Sequence, residues 1–101
     1  MFTVSMTVNS KNFNQLESFV DLAISLNAQP IISLVNNYKN SDYFQNEYLT
    51  FSNNDYEKLL TQINNSLPKV KKESYKDSEI ILSHLKRRVM NSKHNLVAQH
   101  I

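Results

Sequence analysis

The residues from Phe2 to Asn36 read as strand, helix, strand, and that order restricts the fold more than any other feature of the chain. Phe2-Thr3-Val4-Ser5-Met6-Thr7-Val8 alternates apolar and small polar side chains at the period of two that marks a strand. From Asn12 to Leu26 the apolar residues Leu16, Phe19, Val20, Ala23 and Leu26 recur at helical spacing, which makes Phe19 a core position. Pro30-Ile31-Ile32-Ser33-Leu34-Val35 is a short, nearly continuous apolar run, the pattern of a strand buried on both faces. Two strands joined by a crossover helix must lie parallel. The expected fold class is therefore α/β: a βαβ unit with parallel strands, followed by two further helices. One such unit cannot cover both faces of its own sheet, so it is expected to belong to a larger α/β layer.

Local signals divide the rest. Asn12 is the expected N-cap of the first helix, because its side chain can accept from amides of the first turn. Asn27 stands where a helix ends in the left-handed conformation. Asn36 to Asn46 is polar and aromatic and leaves the C-terminal end of the second strand. Ligands bind at that end of open α/β sheets. As a plain surface loop, its tyrosines would cover core edges. Phe51-Ser52-Asn53-Asn54-Asp55-Tyr56 reads as a capping box, with Ser52 as N-cap, Asp55 at N3, and Phe51 and Tyr56 as a hydrophobic staple. The helix that follows buries Leu59, Leu60 and Ile63 and is expected to stop before Pro68. Lys69 to Lys76 then forms a charged linker. A third helix runs from Ser74 or Asp77 to Asn91 on a stripe of Ile81, Leu82, Leu85 and Val89, and the tail from Ser92 frays.

Composition removes several chemistries. The chain has 101 residues and no cysteine, which excludes a disulfide framework, a thiolate nucleophile and a cysteine-ligated cluster within it. With no glycine there is no Walker-type phosphate loop. His84, His94 and His100 are not spaced as a metal set, and no serine, histidine and aspartate are placed as a triad, so no metal or catalytic residue is assigned. Lys69, Lys71, Lys72, Lys76, Lys86, Arg87, Arg88 and Lys93 make the C-terminal third basic. Only Tyr75 offers an aromatic among them, so a solvated face is expected rather than a nucleic-acid surface. No apolar run is long enough to span a bilayer and no basic-then-apolar leader opens the chain, so a cytoplasmic location without membrane contact is expected. A strand that begins directly after Met1 raises the expectation of further chain before it.

Val4 to Ile63 resembles the C-terminal half of the radical S-adenosylmethionine (radical SAM) barrel. Val4-Ser5-Met6-Thr7-Val8 is similar to its fifth strand. Asn12 followed by Leu16-Glu17-Ser18-Phe19-Val20-Asp21-Leu22-Ala23 is similar to the asparagine and barrel-facing helix that come next. Leu26-Asn27-Ala28 stands where the family has Leu-Gly-Ala or Leu-Gly-Val, and Ile31-Ile32-Ser33-Leu34-Val35-Asn36 resembles the sixth strand. Phe44 to Phe51, entering the capped helix, is similar to the segment beyond it. The resemblance implies a partial (β/α) barrel segment over 1–67, with 68–101 as basic linker and C-terminal helix.

It also implies that Leu34, Val35 and Asn36 lie beside the adenine of S-adenosylmethionine. Without the resemblance, Leu34 and Val35 are core and Asn36 caps a turn. The family's Cys-x3-Cys-x2-Cys loop is absent, and Asn27 replaces the helix-ending glycine. S-adenosylmethionine and a 4Fe-4S cluster are thus implied only for a complete family enzyme, and no cofactor for this chain alone. The implied partner is the missing N-terminal barrel half, in the same chain or a separate one, and the fragment by itself is expected to be inactive. The alternative is a small non-enzymatic α/β binding or structural module. In either case a two-stranded parallel sheet leaves edges and a face poorly covered, so the isolated chain is expected to be marginally stable or to associate through its strand edge.

Overall fold

The computed structural model describes residues 2–34 and 51–99. It contains a strand β1 (Phe2–Val8), a 3-10 turn (Phe13–Gln15), a helix α1 (Leu16–Ser25), a strand β2 (Ala28–Leu34), and two long helices, α2 (Asn53–Lys72) and α3 (Lys76–Gln99). β1 and β2 pair in parallel, from Phe2 opposite Ala28 to Val8 opposite Leu34, as the βαβ order requires. The chain is thus a mixed α/β fold with two parallel strands and three α-helices among the described residues.

The alternation in β1 decides its two faces. Val4, Met6 and Val8 turn toward the helices, whereas Thr3, Ser5 and Thr7 are exposed. In β2, Ala28, Pro30 and Ile32 are buried, but Ser33 is exposed and Ile31 half-buried. The expectation of a strand buried on both faces is therefore corrected: the helices pack against the even-numbered face and leave much of the other to solvent.

Two asparagines shape the turn into α1. The Asn9 Oδ1 accepts from the amides of Lys11 (2.8 Å) and Asn12 (3.1 Å), and the Asn12 Oδ1 accepts from the Asn9 amide at 2.8 Å. Asn12 Nδ2 donates to the Thr7 carbonyl at 2.9 Å. Asn12 therefore does not cap α1 as expected. It reaches back to the strand, because the 3-10 turn intervenes before Leu16. Leu16, Val20 and Ala23 are buried, Phe19 is only half-buried, and Leu26 is exposed because the helix has ended at Ser25. Asn27 takes φ 55°, the left-handed geometry expected of it.

The Ser52 capping box is present. Its Oγ accepts from the Asp55 amide at 3.1 Å, and Asp55 Oδ2 accepts from the Ser52 amide at 3.0 Å. The Phe51 and Tyr56 rings stack at 5.3 Å, and Phe13 meets Phe51 edge-on at 5.9 Å. A cap of this kind contributes about 1 kcal/mol.

Beyond it the expected helix end is wrong. α2 runs through Pro68 to Lys72, so the boundary drawn between 67 and 68 falls inside a helix, and Lys69 to Lys76 is not a linker. An interior proline costs about 3 kcal/mol and deprives the carbonyl four residues back of its partner. Here Pro68 and Asn64 are both exposed, so water can serve that carbonyl, and Val70 in the next turn is fully buried. The helix ends in a Schellman turn. Ser74 takes φ 60°, its amide donates to the Lys71 carbonyl at 3.0 Å, and the Tyr75 amide donates to the Val70 carbonyl at 3.0 Å. Val70 and Tyr75, the two apolar positions of that motif, are both core. α3 continues to Gln99 rather than fraying from Ser92, since no glycine or proline interrupts it. Leu82, Leu85 and Val89 enter the core with Leu16, Val20, Leu59 and Ile63, and Ile81 packs at its margin.

Candidate functional site

The residues carried over from the barrel resemblance lie at the C-terminal end of β2. Leu34 is half-buried there, and Val35 and Asn36 fall outside the described residues. A shallow groove of about 260 Å³ runs between this end of β2 and α3. Ile32, Leu34, Ile81 and Leu85 make it apolar, and His84 and Arg88 stand on its α3 side. Among the described residues no carboxylate lines it. Among the described residues no three histidine, aspartate or glutamate side chains gather as a metal site. A 4Fe-4S cluster does not fit this chain's residues, because its irons need thiolates and the sequence has no cysteine.

A polar cluster that sequence reasoning missed joins α1 to α2. Lys69 Nζ lies 2.8 Å from Glu17 Oε2 and 2.8 Å from Asp21 Oδ1. Asn65 Nδ2 donates to Glu17 Oε1 at 3.2 Å, and the Glu17 amide donates to Gln62 Oε1 at 3.0 Å. Glu17 and Asp21 are one turn apart on α1, a spacing visible in the sequence. Their partner is not, because the sequence reads as a linker at Lys69. Donation from Lys69, then from Asn65, holds the Glu17 carboxyl below the usual carboxylate range. Hydrogen bonds to Asp21, then to Glu17, hold the Lys69 ammonium above the usual lysine range. Both Glu17 oxygens are occupied, so the cluster works as a clamp between helices rather than as a proton acceptor.

The clamp predicts a pH dependence. The lowered Glu17 value gives stability that is present above the ordinary carboxylate range and lost as pH falls through the folded value. The raised Lys69 value gives stability that is present below the ordinary lysine range and lost as pH rises through the folded value. Lys69→Met is therefore expected to flatten the acid limb of a urea-midpoint profile taken from neutral pH downward. An unchanged acid limb would show that the pair contributes nothing.

The two edges of the sheet differ. Pro30 has no amide to offer a neighbouring strand, and its carbonyl accepts from the Ser78 hydroxyl of α3. The Ser78 amide, in the first turn of α3, donates to Gln29 Oε1 at 3.3 Å. α3 thereby closes the outer edge of β2. Because Pro30 turns its carbonyl outward, Gln29 and Ile31 must supply the backbone groups that bond β1. In the observed register those groups meet Val4 and Met6, so β1 directs the backbone amides and carbonyls of Thr3, Ser5 and Thr7 away from β2. The Thr7 carbonyl is taken by Asn12. Among the described residues no strand pairs with the groups of Thr3 and Ser5. β1 carries no charge and no proline, two of the devices that normally blunt an open edge. At its start Phe2 is 80% exposed, and Leu22 of α1 and Leu26 just beyond that helix are 57% and 60% exposed.

No helix among the described residues is long and apolar enough to cross a membrane. No protein-family model, curated protein or solved structure matches the chain.

Proposed function

We propose that this chain is a non-catalytic α/β module of the cytoplasm that works by lending the open edge of β1 to a larger sheet. The observation that carries this is the contrast between the edges: β2 is closed by Pro30 and Ser78, while β1 is uncharged and unpaired at Thr3 and Ser5 among the described residues. Ser5→Pro tests the edge. If the Ser5 amide points outward, proline there should cost the dilute chain about 1 kcal/mol or less, as at other edge positions. A loss of about 3 kcal/mol or more would show that the amide is already used, and the proposal would fail.

A radical SAM barrel segment is the second reading, favoured by the parallel register of strands joined through α1. In it the same β1 edge takes a strand from the missing N-terminal barrel half, and Leu34, Val35 and Asn36 stand beside S-adenosylmethionine only in the completed barrel. Thermal unfolding with and without S-adenosylmethionine tests whether this chain binds it outside a completed barrel. No shift is expected for this chain alone. An upward shift would assign it a ligand site of its own and count against the non-catalytic reading, since a ligand selective for the folded state must stabilise it.

A further inference from the structure

Resting on the open-edge reading above, we infer that the strand β1 accepts is β1 of a second copy, paired antiparallel about a two-fold axis at Val4. The open groups set the register. Only Thr3 and Ser5 present both an amide and a carbonyl outward, because Asn12 occupies the Thr7 carbonyl. Antiparallel strands exchange bonds between residues that both face the partner. Pairing Thr3 with Ser5 of the second copy, and Ser5 with its Thr3, uses all four outward groups and leaves the Asn12 contact intact. Val4 then lies opposite its own symmetry mate, and Phe2 opposite Met6. The apolar residues of β1 meet on the helix-bearing face, and Thr3 and Ser5 meet on the exposed one. With no charge in β1, no like-charge pair opposes this self-association.

The helix layer supplies a second argument. α1 packs over both strands, and a two-fold axis perpendicular to the sheet places both copies of α1 on the same face. Helices centred over neighbouring strand pairs stand two strand spacings apart, about 10 Å, which is the usual distance between packed helices. Leu22 and Leu26 lie roughly 140° or more round α1 from Glu17, on the flank turned away from α2. α1 runs back along the sheet, so these leucines, in and just beyond its last turn, stand at the level of the N-terminal half of β1. That is the half whose edge is open. Exposed leucines and open backbone groups thus occur side by side, and each copy's Leu22 meets the other's Leu26. Such an interface is isologous and closes at two copies.

Sedimentation or light scattering over a dilution series should show the mass rising from one chain to two. Ser5→Pro, which removes an outward amide, and Leu22→Glu, at a position exposed in the single chain, should each hold it at one. The chain has no cysteine, so single substitutions report the register cleanly. Val4→Cys should form a crosslinked dimer on mild oxidation, and Thr7→Cys should not. A dimer that persists in both Ser5→Pro and Leu22→Glu overturns the inference, because it uses another face. A chain that stays single at every concentration also overturns it, and amide exchange then judges the reading beneath. Rapid exchange at Thr3 and Ser5 leaves the edge open for a different strand. Protection of those amides in the single chain means that the edge is covered internally, and the open-edge function falls as well.

Discussion

Replacing Ile63 by alanine is expected to cost about 2–5 kcal/mol of folding stability. Ile63 has no exposed surface and sits near the middle of α2. α2 packs on both α1 and α3, and the core cluster that holds Ile63 is walled by residues of all three helices. Two of those contacts are tied elsewhere, by the Lys69 clamp to α1 and by the Schellman turn into α3. The walls therefore have little freedom to collapse, which places the cost in the upper part of the range. Domains of this size hold only about 5–15 kcal/mol in total, so the variant should unfold at a much lower urea concentration. Circular dichroism through a urea titration measures this, and a loss under about 1 kcal/mol would remove Ile63 from the core. Phe19→Ala should fall below the full-burial range, because Phe19 is only partly buried.

Ser78→Ala is expected to cost about 1–3 kcal/mol, the desolvation penalty of a buried group left without its partner. The Ser78 hydroxyl is fully buried and donates to the Pro30 carbonyl. Removing it leaves that carbonyl buried and unpaired, and of the ties from Ser78 to β2 only the bond from its amide to Gln29 remains. Ser66 is the control. It is equally buried on α2, but its Oγ has no hydrogen-bond partner among the described residues. Ser66→Ala deletes a hydroxyl that already bears its desolvation cost, and it places a better helix former in α2. It should leave stability unchanged or raise it. The same urea titration serves both variants. Equal losses at the two positions would show that the Ser78 bond adds nothing beyond the volume of an oxygen.

The features legible in the sequence were those written within one turn or one strand. The capping box at Ser52 depends on residues three apart, and it is present. The left-handed Asn27 follows from the steric tolerance of asparagine, and the parallel pair follows from two strands joined through a helix. The stripe Leu82, Leu85, Val89 needed only the helical period. Of the proposed adenine-side residues, Leu34 alone falls among those described, half-buried at the end of β2 as a residue of that strand must be.

What failed was each inference in which a local rule had to be weighed against packing. Proline normally ends a helix, yet α2 passes through Pro68 because the ring faces water and Val70 beyond it is buried. Asn12 has the chemistry of an N-cap, yet it serves the Thr7 carbonyl because the chain inserts a 3-10 turn before α1. The clamp of Lys69 on Glu17 and Asp21 spans 52 and 48 positions, and that of Ser78 on Gln29 spans 49. The sequence alone determined that two parallel strands and three helices form, and most of the apolar residues that they bury. Only the tertiary structure decided which edge of the sheet is closed, because that depends on where α3 places one hydroxyl against one proline carbonyl, a contact no local pattern encodes.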